Sequence, residues 1–246
     1  MSGTIPPSHP RYLSLLTRER LAEFARKGIV TFEGLTAHGR GEAFDYLIGE
    51  RTLPSALIAE KTAAALLLSA RHPVISVNGN TAALAAPAVA DLQEACGAIV
   101  EVNLFHRTEE RVRLIEDLLA SSGCRVFSEK AEPLLPLPHD RAWCSRGGMF
   151  AADVVLVPLE DGDRCGVLAG MGKTVIAIDL NPLSRTARSA SLTIVDELTR
   201  ALPRITQACR ELTPDERQQL IAALNNAYLL SDAIREITGR LAHALD

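Results

Sequence analysis

The sequence predicts an α/β fold: a doubly wound, mostly parallel sheet with N-terminal helices and a C-terminal helical tail. Short β-branched runs recur between residues 73 and 196, most of them separated by helix-length segments, the rhythm of a parallel sheet wound with helices. The strongest runs, DVVLVPL (153–159) and TVIAIDL (174–180), are apolar almost throughout, as strands covered on both faces are. Composition agrees, since 47% of the 246 residues are apolar but only 4% aromatic, so that Ala, Leu, Ile and Val must build the core.

The elements follow in order. Ser8 as cap and Pro10 in the first turn open a helix whose inner face is Leu13, Leu16, Leu21, Phe24 and Ala25, and Gly28 ends it. Residues 54–71 form an Ala- and Leu-rich helix halted by His72-Pro73. PVISVN (73–78) is the first strand, and Gly79-Asn80 leads from it into an Ala-rich helix. AIVEVNLF (98–105) is the next strand, followed by an amphipathic helix over 108–123. That helix has Thr108 as cap and Glu109 and Glu110 in its positive first turn. RVF (125–127) is a further short strand. Residues 129–150 are Pro-rich and aperiodic and hold the single Trp, which predicts a long surface loop, uncommon unless functional or mobile. SLTIVD (191–196) is the last strand. Beyond it the pattern is helical, with Thr213, Pro214 and Glu216 spelling a capping box and predicting a helical pair. The chain reads as one domain over 1–246: an N-terminal helical segment (1–52), a sheet core (72–197) and C-terminal helices (198–246).

Bulk properties exclude several functions. A formal net charge of −4 supplies no global positive field for nucleic acid. The longest apolar stretch, Thr62 to Ala70, is far short of the roughly 18 residues that suggest a membrane span. The start MSGTIPPSHPRY lacks the apolar region of a secretion signal. Five scattered cysteines without a CxxC suit a reduced, cytoplasmic setting.

Two motifs are decoys. GMGKT (170–174) ends like a phosphate-binding loop, but its leading glycine position is Val167 and it closes a helix instead of opening one. HGRGEAF (38–44) has two glycines of a dinucleotide fingerprint without the third or a preceding strand, which disfavours an NAD(P)-dependent oxidoreductase. The six histidines are too scattered for a metal site.

Ligands of wound sheets bind at the carboxyl ends of strands, and polar clusters fall there. Asn78-Gly79-Asn80-Thr81 is either a phosphate cradle or a turn capped by Asn80. Glu160-Asp161-Gly162-Asp163-Arg164 is a candidate Mg²⁺ or ammonium site, with a helix capped by Asp163 as the plainer reading. Asp179-Leu180-Asn181-Pro182 can accept from ribose hydroxyls, Arg185 and Thr186 supply a phosphate-directed fork and a hydroxyl, and Asp196 ends the adjacent strand. Arg18 lies in a charged helical stretch. Arg40 sits between two glycines, where a backbone can approach a ligand closely.

Six segments then go beyond periodicity: SHPRY (8–12), GLTAHGRGEAFDYLIGERT (34–52), HPVISVNGNTAAL (72–84), EVNLFHRTEERV (101–112), ADVVLVPLEDGDR (152–164) and MGKTVIAIDLNPLSRTAR (171–188). In this order they resemble the 4-phosphopantoate–β-alanine ligase family, the archaeal phosphopantothenate synthetases of coenzyme A biosynthesis. The resemblance implies a Rossmann-like homodimer that joins 4-phosphopantoate to β-alanine through an acyl-adenylate, splitting ATP to AMP and pyrophosphate. It implies a nucleotide site at Arg18, Arg40, Asp179, Leu180, Asn181, Arg185, Thr186 and the pair 196–197, with Arg40 and Arg185 offsetting charge in catalysis. Where the family has Asp-Asn this chain has Asp196-Glu197, so the expectation rests on Asp196. Mg²⁺ would bridge pyrophosphate oxygens near Asp161 and Asp163. Asn78, Gly79, Asn80, His106 and Arg107 are expected to anchor the substrate phosphate. A non-catalytic dimer sensing adenine nucleotides or coenzyme A is the alternative.

Overall fold

The computed structural model describes residues 5–9 and 11–245. Three helices come first: α1 (Tyr12–Arg26), α2 (Phe32–Ile48) and α3 (Pro54–Ser69). The sheet core then alternates β1 (Pro73–Val77), α4 (Gly79–Cys96), β2 (Ile99–Val102) and α5 (Glu109–Ser121). A short ribbon of β3 (Glu132–Pro133) and β4 (Trp143–Cys144) intervenes. The core resumes with β5 (Val154–Pro158), α6 (Gly162–Gly170), β6 (Thr174–Ile178), α7 (Arg185–Ser189) and β7 (Leu192–Ile194). Three helices close the chain: α8 (Leu198–Glu211), α9 (Pro214–Ala222) and α10 (Asn226–Ala242). The expected helical pair is thus a trio.

Among the described residues the main sheet has five strands, all parallel, in the order β2-β1-β5-β6-β7. Strand order reverses between β1 and β5, and a crevice opens beyond the carboxyl ends at such a switch point. Alternate residues along each strand face opposite layers. Ile75, Val77, Leu156, Ile176 and Ile178 pack with α1, α3, α4, α5 and α8. Val74, Val155, Val157, Val175 and Ala177 pack instead with Cys165 and Leu168 of α6 and with Leu135, Cys144 and Met149.

That second layer corrects one expectation. The Pro-rich segment does not merely cross the surface: its Leu135, Cys144 and Met149 are buried against one sheet face. Buried Glu101 on β2 fastens the segment, accepting from Ser145 N at 3.0 Å and Met149 N at 2.7 Å. Arg164, 1% exposed, donates to Arg141 O at 3.1 Å from the other side.

Local signals held where the chemistry is local. Thr108 caps α5 through Arg111 N, and Thr213 with Glu216 forms the capping box of α9. Elsewhere neighbours took the role. The first helix starts later than Ser8, with Arg11 at its N-cap, and Pro10 lies outside the described residues. Leu21 and Phe24 are buried, but Leu13 and Leu16 are exposed. RVF contributes only the bridge Val126 to Val100. The decoy reading of GMGKT stands, since Gly172 follows the end of α6 with φ +80° and Lys173 Nζ donates to Phe150 O and Ala152 O, both at 2.7 Å. All five cysteines are free, and no helix among the described residues is long and apolar enough to cross a membrane.

Candidate active site

A cavity of about 820 Å³ opens at the switch point, walled by α2, the start of α4, the chain after β2, and the ends of β5 and β6. This is in the upper part of the roughly 300–1,000 Å³ range of small-molecule sites.

Asn78 braces the switch point. Its side-chain oxygen caps α4 by accepting from Thr81 N at 3.0 Å, while its amide nitrogen donates to Pro158 O and Leu159 O, both at 3.1 Å. The cap is therefore Asn78 and not Asn80. Asn80 instead ties α4 to α2, donating to Gly34 O at 2.9 Å. With both side chains engaged, what this turn offers a ligand is its first-turn N–H groups, which have no intrahelical acceptor. Gly79 lets the turn fit, because a Cβ there would stand 2.2 Å from Ile29 O.

His106 lines the cavity with φ +54°, and Leu159 opposite it has φ +53°. Left-handed backbone at a non-glycine residue costs on the order of 1–3 kcal/mol and gathers at functional sites. Arg107 does not line the cavity. Its N–H donates to Asp140 Oδ2 at 2.8 Å, and its guanidinium turns toward Val102 O and the charges of Glu101 and Glu116. A cation that does line this wall is Arg111, in the first turn of α5. It donates to Ile29 O at 3.1 Å, Phe105 O at 2.7 Å and His106 O at 3.2 Å. Burial lowers the pKa of both arginines.

At the other end, β6 runs into Asp179, whose carboxyl accepts from Asn181 N at 2.9 Å and from the Ser184 hydroxyl. Burial pushes the Asp179 carboxyl up, against the pull of those donors and of Arg40. Ser184 caps α7 through Ala187 N at 2.9 Å. Thr186 is buried and donates to Glu160 O at 2.9 Å. Leu180 and Asn181 line the cavity with them. Arg40 also lines it, but from the exposed face of α2. A glycine-bordered backbone approach is therefore not how it works: its neighbours Gly39 and Gly41 are helical.

Asp161, not Asp163, caps α6, accepting from Asp163 N at 2.7 Å. Its other oxygen pairs with Arg141, and Asp163 pairs with Arg185. Each expected metal ligand thus already faces a guanidinium. Among the described residues no three carboxylate, histidine or cysteine groups gather to hold a metal.

Two expected residues stand behind the wall. Arg18 is spent on Glu42, donating through Nε at 3.0 and 2.9 Å. Asp196 is fully buried and bound to Thr52, Arg200 and Glu197 N. It is Glu197, the N-cap of α8, that lines the cavity, and burial raises its pKa. Sequence reasoning also missed Arg141, which the covering segment brings in with its guanidinium 4.2 Å from the Phe105 ring centroid.

A model of the phosphopantothenate/pantothenate synthetase family matches residues 55–240. The chain belongs to this family. The resemblance noted above is borne out along nearly the whole length. It is 59% identical over 242 residues to the 4-phosphopantoate–β-alanine ligase of Methanospirillum hungatei, covering 98% of this chain and 100% of that one. The enzymes of the same name from Methanosarcina mazei and Thermococcus kodakarensis are 53% and 49% identical, each over 96% of this chain and over 95% and 93% of their own lengths.

Proposed function

We propose that this synthetase-family chain is an ATP-dependent ligase that condenses 4-phosphopantoate with β-alanine to 4-phosphopantothenate, releasing AMP and diphosphate. The observation that carries the reading is a single cavity with anion-binding groups at both ends. An acid bearing a distal phosphate and a nucleotide must meet there with the carboxylate beside the α-phosphate.

A carboxylate oxygen attacks the α-phosphorus, and the bond to the β-phosphate oxygen breaks, giving an acyl-adenylate and diphosphate. The amine of β-alanine then bonds to the acyl carbon as the bond to AMP breaks, and its surplus proton leaves to water. Asp179 and Asn181 would read the ribose, while Arg40, Arg185 and Thr186 serve the phosphates and offset charge in the transition state. Arg111, His106 and the first turn of α4 would hold the distal phosphate. Placing three polar reactants together supplies much of the acceleration, and the reaction calls for no side-chain nucleophile. Magnesium would arrive on the triphosphate, since Asp161 and Asp163 are held by arginines. We further infer a homodimer working in the cytoplasm.

The test is AMP and diphosphate release from MgATP with each substrate alone and with both. Release with a new amide product is expected only when 4-phosphopantoate and β-alanine are present together. Nucleotide binding without turnover under every combination would overturn the ligase reading in favour of a sensor.

A further inference from the structure

Glu60 of α3 is an acid in an otherwise Ala- and Leu-rich helix, and it is 1% exposed. Neither oxygen of its carboxyl has a hydrogen-bonding donor. As a carboxylate it would be a buried charge without a hydrogen bond, a state that ordinarily resolves by protonation. Arg204 Nε stands 3.9 Å away and is itself engaged with Thr52 Oγ1 at 3.3 Å.

What Glu60 meets is the carboxyl of Asp196. The Asp196 carboxyl is already held by three neighbours. Its Oδ1 accepts from Arg200 Nε at 2.8 Å and Glu197 N at 2.8 Å, and its Oδ2 from Thr52 Oγ1 at 2.6 Å. Two neighbouring buried carboxyls do not both ionise readily, and Glu60 is the one without a donor. Its carboxyl is pushed up to about 9, chiefly by burial and then by the charge of Asp196, against Arg204 and Arg200. Those three, from the end of β7 and from α8, are the charged groups acting on it. Asp45 of α2 enters at second hand, binding Arg200 at 2.5 and 3.1 Å.

This junction joins two walls of the cavity. Asp196 holds the amide of Glu197, which lines the nucleotide end. Through Arg200 it also holds Asp45 on the helix that carries Arg40. We propose that Glu60 is a positioning residue of this site: it remains protonated at neutral pH, donates its O–H to Asp196, and keeps the Glu197–Leu198 wall in register with α2. Removing the proton sets two carboxylates face to face and releases both walls. The sign follows from the raised pKa. Stability from this carboxyl is fully present below its unfolded value of roughly 4.3 and is lost as pH rises through its folded value.

The proposal rests on the nucleotide reading only for its binding arm. Infrared spectroscopy of the full chain, labelled with ¹³C-glutamate, should show at pH 7 a protonated-carboxyl band that is missing in Glu60→Gln and titrates away near pH 9. ATP affinity by calorimetry should weaken about tenfold between pH 7.5 and 9.5, within the usual range of coupling between sites. In Glu60→Gln, which stays neutral and can still donate, affinity and melting temperature should lose that extra alkaline decline. Absence of the band, or a Gln variant that follows the parent across this range, overturns the proposal. If the variant does not fold, the band and its titration in the parent decide. A chain that binds no nucleotide at any pH refutes the ligase reading, and the band then decides this one alone.

Discussion

The two ends of the cavity, proposed to hold anions, are built from different materials. At the α4–α5 end the donors are fixed. The turn of Asn78 is braced to β5, and Arg111 is clamped by three main-chain carbonyls. At the α6–α7 end the donors are on loan. The Arg185 side chain is 77% exposed and already paired with Asp163, while Arg141 is paired with Asp161. A phosphate reaching the first end finds a preformed seat. One reaching Arg185 must displace Asp163, an exchange that costs little because exposed ion pairs are worth only about 0.2–1 kcal/mol. The first end suits a substrate held through both chemical steps, and the second suits a group whose pyrophosphate must leave.

The largest effect is expected where the fixed end has least room. In Gly79→Ala the new methyl would fall 2.2 Å from Ile29 O and 2.8 Å from Arg111 Nη2. A main-chain oxygen cannot swing aside, so the first turn of α4 and Arg111 must shift together. Overpacking of this kind destabilises by about 3 kcal/mol at its upper range, and a displacement near 1 Å at a reacting site costs on the order of 100-fold in rate. Both should appear, as a lowered melting temperature and a kcat/KM down about 100-fold. Wild-type kinetics in Gly79→Ala would mean that the turn is not a seat for either substrate.

Next is the choice between two arginines. Arg111→Ala removes the clamp and should raise the KM for 4-phosphopantoate about 10- to 100-fold, the equivalent of one charged hydrogen bond of roughly 1.5–3 kcal/mol. Arg107→Ala should change that KM less than about twofold, since surface or turned-away groups contribute little to a site they do not touch. Steady-state kinetics of the pair, with ATP saturating, separates them. The reverse ranking would restore Arg107 as the anchor.

That choice also shows how far sequence carries. The strands, the Thr108 cap and the Thr213–Glu216 box were legible because each is decided within a few residues. Arg107 and Arg111 lie four apart in one motif, and what separates them is remote. Arg107 is drawn back by Asp140, 33 positions away, after a left-handed turn at His106. Asp161 and Asp163 were confused for a similar reason. Residue 162 between them must be glycine because a Cβ there would lie 2.5 Å from Arg185 Cβ, a constraint from the next strand–helix unit. Arg141 was hidden by an aperiodic segment, although Leu134, Leu135, Leu137 and Met149 within it are too apolar for a free loop. Glu60 left a signal that could have been read, a lone acid on an apolar helix. Asp196 and Arg200 left another, an i, i+4 pair at the mouth of α8.

The smallest effect is the sharpest test of the loaned end. If Asp163 merely occupies Arg185 until phosphate arrives, Asp163→Asn frees the guanidinium and should lower the KM for MgATP about two- to fivefold, the exchange energy of an exposed pair. Asp161 keeps capping α6, since the N–H of residue 163 survives the substitution. Melting temperature should therefore move little. If Asp163 were a magnesium ligand, the same change would raise the KM for MgATP and make it steeply dependent on free Mg²⁺. The two accounts differ in sign, so a modest effect suffices to separate them. Arg185→Ala completes the comparison by raising the KM for MgATP, and in its presence Asp163→Asn should have no further effect, because the pair it relieves is already gone.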